Sequence, residues 1–324
     1  MSVGSIKMSE MSEQPTTPTV SVIIPAYNCE AYIQDTIDSI LGQTCRDLEL
    51  IVIDDGSTDR TRNIVENYGA PVRLVRQENA GVCVARNRGI REARGKYICL
   101  MDHDDFWFPD KLSTQVRMLR DSPEAGVVFS EFTLWHPDQN GDFPKPSSLM
   151  PPSDSDQIDP EYSGWIYHQF LLDCWMLTST AMFRAEVFEK CGVFDEALPY
   201  SEDWELWLRI SREYPFLKLS RSTTLYRQHP GQGNRRVRPV DYRTVLLTKA
   251  ERRWGLASRD GRAVTRQQFS KQLARYHASY GLHQLQSGHF LKAITAFGKA
   301  WITNPSQLKY PAYGVAALLG WRPK

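Results

Sequence analysis

Four times in its first 120 residues the chain sets a short apolar, β-branched run directly before a stretch whose apolar residues fall at helical spacing. The pairs are VSVIIPA (20–26) with 30–41, LELIVID (48–54) with 58–68, PVRLVRQ (71–77) with 82–94, and KYICLMD (96–102) with 109–120. In the first of them Tyr32, Ile33, Ile37, Ile40 and Leu41 share one helical face. Strands alternating with helices of this length form βαβ units, and strands that are apolar throughout are covered on both faces. The expectation is an α/β fold, a Rossmann-like, mostly parallel sheet with helices on both sides. In such open sheets ligands bind beyond the carboxyl ends of the strands. PAYN, DDGSTD, ENAG and DHDD, which close the four runs, are therefore expected on one rim.

Further along, 125–131 reads as a fifth strand, 177–184 as another, 201–214 as an amphipathic helix, and PFLKLS and TTLYRQH as closing strands, which puts the α/β part over 19–235. The Pro-, Ser- and Asp-rich stretch 136–160 is too long for a simple connection and reads as a mobile loop, either plain surface or a lid for an acceptor. Residues 1–18 have neither a basic start nor an apolar run, so they read as a disordered leader rather than a signal peptide. The region 236–324 is expected to be mostly helical, with 280–305 an ordinary helical hairpin: its small and aromatic spacing matches one repeat unit, but a single copy has no neighbours to stack on.

Six cysteines occur without a CxxC pair or a histidine at metal spacing, which argues against a zinc or redox site and for reduced, buried thiols. No apolar stretch approaches the roughly 18 residues of a membrane span. The net charge of +1 hides an asymmetry: residues 230–324 carry 17 Lys and Arg against 3 Asp and Glu, and no acidic residue follows Asp260. Such a tail is either a solvated helical surface docked on the acidic part of the chain or a face for an anionic partner.

In LMDHDDFWFPD (100–110), an Asp-x-Asp at a strand end projects Asp102 and Asp104 to the same side, with His103 turned away. Carboxylates this close repel unless something positive lies between them, and hard oxygen donors suit Mg²⁺ or Mn²⁺ with open positions for water and phosphate oxygens. The alternative is a helix cap, since Asp105 or Asp110 could cap the helix that follows. In VIDDGSTDRT, Asp54 and Asp55 close a buried strand and Gly56 permits a sharp turn, leaving a carboxylate to accept from a base N–H or ribose hydroxyls. Tyr27 offers a flat face to a nucleobase, or is a core tyrosine.

Taken together, VSVIIPAYNCEAYIQDTIDSILGQTCRDLELIVIDDGSTDRT, NAGVCVARNRGIREARGKYICLMDHDDFWFP and SEDWELWLRI resemble glycosyltransferase family 2, the inverting enzymes of GT-A fold, over roughly residues 19–230. The resemblance implies a metal-dependent, hexosyltransferase-type enzyme of cell-surface polysaccharide or glycolipid synthesis. It implies that Tyr27 stacks on the base and Asp55 hydrogen-bonds it, with Pro25, Ala26, Asn28, Glu30, Asp54, Arg86, Asp102 and His103 in the nucleotide-sugar set. Asp104 would hold the cation, Asp102 would face the ribose or the metal, and His229 would approach the metal or diphosphate. Asp203 matches the catalytic base, with Glu202 beside it. Displacing a nucleoside diphosphate with inversion needs one base on the face opposite the leaving group, and one carboxylate suffices. Acidic residues at that position also suit a helix N-terminus, and both readings can hold. The implied partners are a UDP-, GDP- or dTDP-linked sugar, Mg²⁺ or Mn²⁺, and a saccharide or lipid-linked acceptor. No nucleic acid is expected, and the setting is cytoplasmic, with the basic tail available to the inner membrane face. The competing reading is a non-catalytic nucleotide-sugar or phosphate-binding α/β module, perhaps receiver-like, with Asp54 and Asp55 on a cation. A receiver, however, ends near about 120 residues, and these motifs run on well beyond that.

Overall fold

The structure, a computed structural model, describes residues 17–150, 156–233 and 237–320. All but the last residues of the expected leader lie outside the described residues. The first half runs β1 (Val20–Ala26), α1 (Ile33–Leu41), β2 (Leu48–Asp54), α2 (Thr61–Glu66), β3 (Val72–Arg76), α3 (Val82–Glu92), β4 (Tyr97–Leu100), β5 (Phe106–Trp107), α4 (Lys111–Asp121) and β6 (Val127–Trp135). There follow α5 (Tyr167–Phe170), β7 (Met182–Arg184), α6 (Ala185–Cys191), α7 (Glu202–Ile210) and β8 (Phe216–Arg227). The chain then turns helical, with α8 (Tyr242–Trp254), α9 (Arg266–Gln286), α10 (Phe290–Thr303) and α11 (Lys309–Leu318).

The strands form one mixed sheet in the order β3-β2-β1-β4-β7-β6-β8-β5. The four runs of the opening βα pattern pair in parallel, and β1 is buried along its whole length, as a strand covered on both faces must be. α3 comes so close to β1 that a Cβ on Gly89 would stand 2.2 Å from Ile23 Cγ2, a crossing only glycine allows. Beyond β4 the sheet departs from the parallel expectation, because β7 inserts antiparallel between β4 and β6. The two closing segments are one strand, β8, parallel to β6 with a register shift opposite Ser130–Phe132, and the two-residue β5 edges it antiparallel.

The described part of the 136–160 stretch is tied down rather than free. Phe143 packs on Trp135, whose indole N–H donates to the Pro144 carbonyl at 3.0 Å, and Ile158 bridges to Leu219 of β8. Apolar residues on both sides of the sheet form two cores. The core beneath α7 also takes in Leu246, Leu247 and Ala250 of α8, Val264, and Phe269 and Tyr276 of α9, so the start of the helical region is packed into the α/β part. The Tyr167 hydroxyl lies 3.2 Å from the Ala250 carbonyl and 3.0 Å from the Gly255 carbonyl, so it can donate to either at the end of α8. Further out, α9 and α10 make the expected hairpin, and with α11 they enclose a separate core around Phe297.

Candidate active site

Because β1 lies between β2 and β4, the carboxyl ends of these three strands converge. The Asp55 amide donates to the Ala26 carbonyl at 2.8 Å, the Met101 amide to Ile23, and the His103 ring nitrogen Nδ1 lies 3.3 Å from the Pro25 carbonyl. PAYN, DDGS and DHDD therefore form one rim.

On the first two strand ends, most of the polar side chains build the rim itself. Asn28, at φ +46°, accepts from the Thr58 amide at 2.8 Å, and Asp54 accepts from the Ser57 amide. Glu30 receives the amide and side chain of Arg60. Asp55 is buried and accepts from the Gln77 side chain and the Ala80 amide on one oxygen and the Gly81 amide on the other, at 2.7–2.9 Å. Gly56, at φ +79°, makes this possible, since a Cβ there would come within 2.9 Å of the Asn79 amide nitrogen. Tyr27 stands clear of these bonds and is 46% exposed, a free aromatic face rather than a core tyrosine.

Around the Asp-x-Asp, Arg86 of α3 is the organising charge. Its guanidinium donates to Asp102 at 2.7 Å and to Glu202 at 2.9 Å while resting over the Phe194 ring. It is buried, and its Nε has no hydrogen-bond partner among the described residues. One side chain thus ties the end of β4 to the N-terminus of α7. The Asp102 amide is held by the Ser179 hydroxyl. Asp104 meets His229 at 2.8 Å, Oδ2 to Nε2, and the imidazole lies against the Tyr32 ring with centroids 4.5 Å apart. Burial alone would push the Asp104 carboxyl up, but the His229 hydrogen bond and the nearby His103 and His229 rings hold it below the ordinary carboxylate range.

Asp105 goes the other way: burial, reinforced by the charges of Asp104 and Asp102, pushes it well above its ordinary value, and one of its oxygens has no hydrogen-bond partner among the described residues. It caps no helix. Asp110 is the N-cap residue of α4 but makes no capping bond and pairs with Arg221 instead. Two residues that the motifs did not single out complete this corner. Arg227, at the end of β8, donates to the Asp104 carbonyl and to Asp35, with its guanidinium 4.0 Å from the centroid of Trp135 and further aromatic contacts to Phe143 and Tyr32. Ser179 is the other. The signal available for Arg227 was its place two residues before His229.

Asp203 sits in the first turn of α7, after Ser201 in the left-handed region at φ +60°, an uncommon conformation for a residue with a Cβ. Burial, with the negative charge of Glu202 beside it, raises its carboxyl to about 6, against the opposing pull of the Trp204 amide and Arg86. A carboxyl tuned this far is suited to accept a proton near neutral pH.

For a divalent ion, the described residues hold no group of three or more His, Cys, Asp or Glu arranged around one point. Asp104 and His229 nevertheless offer one oxygen and one nitrogen donor side by side, and Asp104 is kept ionised. Mg²⁺ and Mn²⁺ sites of this kind take their remaining ligands from water and phosphate oxygens, so the pair fits the protein's share of such a shell.

Comparison with known proteins bears on the whole rim. The family model described as glycosyl transferase family 2 matches residues 21–173. An uncharacterized glycosyltransferase of Rickettsia typhi, RT0329, is 33% identical over 211 residues, 63% of this chain and 63% of its own length. Chondroitin synthase of Escherichia coli is 31% identical over 207 residues, 63% of this chain and 28% of its own. The chain thus spans less than two thirds of the length of these curated relatives. Among solved structures, S. aureus TarS 1–349 in complex with UDP superposes with a TM-score of 0.60 at 19% identity, over 93% of this chain and 87% of that one. The Pyrobaculum calidifontis mannosyltransferase PcManGT, in complex with GDP-Man and Mn²⁺, gives 0.54 at 20% identity, over 94% and 86%. At these identities the likeness shows a shared fold.

Proposed function

The chain belongs to glycosyltransferase family 2, and on that premise we propose that it moves a hexose from a nucleoside diphosphate to a saccharide or lipid-linked hydroxyl, with inversion and Asp203 as the base. The single observation that carries the reading is the Arg86 bridge, which binds the Asp-x-Asp end of β4 and the Asp203 end of α7 into one unit. Reaction across that gap needs a nucleotide side and an acceptor side held in fixed relation.

On the nucleotide side, the exposed Tyr27 ring stacks on the base. Asp55 has lone-pair capacity beyond its three bonds to accept from a base N–H. Asp102, oriented by Arg86 and Ser179, faces the ribose. Asp104 and His229 would hold a Mg²⁺ or Mn²⁺, whose charge would offset that developing on the departing diphosphate. PcManGT, solved with GDP-Man and Mn²⁺, and TarS, solved with UDP, support a nucleotide-sugar donor and a divalent ion. On the acceptor side, Asp203 takes the hydroxyl proton as the new glycosidic bond forms, and its raised pKa of about 6 supports that role. The catalytic unit in this reading spans about 19–235, completed by the packing of α8 and the start of α9, and the enzyme is cytoplasmic. Chondroitin synthase among the relatives supports a role in polysaccharide synthesis. A screen of UDP-, GDP- and dTDP-linked sugars for Mn²⁺-dependent donor hydrolysis tests the proposal. Hydrolysis of at least one donor is expected, and none with any of them would reject it.

A further inference from the structure

The basic helical region borders an open cavity of about 550 Å³ between the approach to α8, α9 and α11. Arg238, Arg243, Arg275 and Lys309 line it. Among the described residues its one carboxylate, Asp241, is taken up by the Thr244 amide and the His277 ring. Among the described residues none of the four cations forms an ion pair with a carboxylate. Burial, aggravated by the like charge of Arg243, holds Arg238 below its ordinary pKa. Asp203 and Glu202 act on Arg238 only from a distance, so cations gathered here without a directly paired carboxylate suit an anion from outside the chain.

Aromatic rings share the same walls. Tyr242, Tyr280 and Tyr310 line the cavity, and the Tyr276 and Tyr280 hydroxyls are anchored on the Leu172 and Pro239 carbonyls, so two of the rings are fixed in place. The wall also adjoins the proposed base. Tyr200 lies under the Arg238 guanidinium, 5.2 Å to centroid, and 5.5 Å from the Tyr242 ring, while Trp204 is 5.7 Å from Tyr276. Tyr200 and Trp204 flank Ser201–Asp203 in the chain. Tyrosine faces beside arginines suit a sugar ring carrying a charged substituent, and a concave wall suits an oligosaccharide better than a bilayer surface.

We propose that this cavity is the acceptor subsite and takes an anionic saccharide, its carboxylate or phosphate on Arg243 and Arg275 and its sugar faces on the tyrosines. The word acceptor rests on the transferase reading; the binding of an anionic saccharide does not, and it is tested without a donor. Binding to the full-length protein is measured for a hyaluronan hexasaccharide, a phosphorylated mannan oligomer, neutral maltohexaose, and vesicles containing phosphatidylglycerol. The expected result is binding of the uronate or the phosphate oligomer, the tighter of the two naming the charged group, with maltohexaose at least about tenfold weaker. Arg243→Gln with Arg275→Gln should weaken the charged oligomer at least about tenfold, and the exposed Lys309→Gln, which leaves the fold unstrained, should weaken it in the same direction. Equal affinity for neutral and charged oligomers, unchanged affinity in both variants, or binding of vesicles but of no oligosaccharide would overturn the assignment. Titration of UDP and GDP with Mn²⁺ on the same samples reports on the transferase reading separately, so failure of one is not mistaken for failure of the other.

Discussion

Replacing Arg86 by methionine keeps most of the side-chain volume and removes the charge that joins the two halves of the site. Arg86 is only 6% exposed at its side chain, and it meets Asp102 at 2.7 Å and Glu202 at 2.9 Å. Breaking a buried pair by deleting one partner costs about 3–5 kcal/mol, because the remaining charge is stranded. Here two carboxylates are stranded, but Asp102 is 33% exposed and water recovers part of its solvation, so the lower end applies, about 3 kcal/mol. The same change acts on Asp203. Arg86 is among the groups that hold its carboxyl down to about 6, so without it the carboxyl must rise further. A base acts only when deprotonated, and the acid limb of the pH–kcat/KM profile should therefore move to higher pH. Denaturant unfolding reads the stability loss, and the pH profile of donor transfer reads the electrostatic one. A stability change under about 1 kcal/mol together with an unmoved acid limb would refute the bridge as the unit that joins nucleotide and acceptor sides.

Three further perturbations separate the parts of the account. Asp203→Asn should lower transfer about 10²- to 10⁴-fold while nucleotide affinity, followed by titration, persists; in the unaltered protein transfer should fall away below about pH 6 as Asp203 takes up a proton. Tyr27→Ala should weaken nucleoside diphosphate binding by about 1–3 kcal/mol with little effect on melting, since the ring is exposed and its work is stacking. Gly89→Ala should do the reverse, costing about 1–3 kcal/mol of stability by thermal unfolding because its methyl would press on Ile23, with the effect on catalysis following only from the fold.

Much of the rim was legible because the runs that end at Ala26, Asp54 and Leu100 are mostly apolar, broken only by Ser21 and Glu49 near their starts, and stop at polar turns, which marks both the strands and their carboxyl ends. Orientation beyond β4 was not legible. β7 is three residues long and β5 two, too short for an alternation to register, and their antiparallel pairing depends on where the chain returns rather than on local pattern. Asp55 could be recognised at a strand end, whereas its partners Gln77, Ala80 and Gly81 meet it only because Gly56 lets the next loop fold back. Arg227 was hidden for a similar reason: Tyr32, Trp135 and Phe143 are scattered over more than a hundred residues and surround it only once folded. The basic tail left two readings open, and its apolar contacts explain why both bear on it. Leu246, Leu247 and Phe269 dock it on the α/β core, while its cations gather around the cavity on the other side.

Titrating UDP and GDP into the full-length chain, with and without Mn²⁺, beside Asp104→Asn, puts the whole arrangement at risk in one experiment. Binding of at least one nucleoside diphosphate that strengthens with Mn²⁺, and loses that gain when Asp104 can no longer carry charge, is the expected outcome. Affinity indifferent to both the ion and the substitution would mean that the Asp104–His229 corner does not grip a diphosphate through a metal.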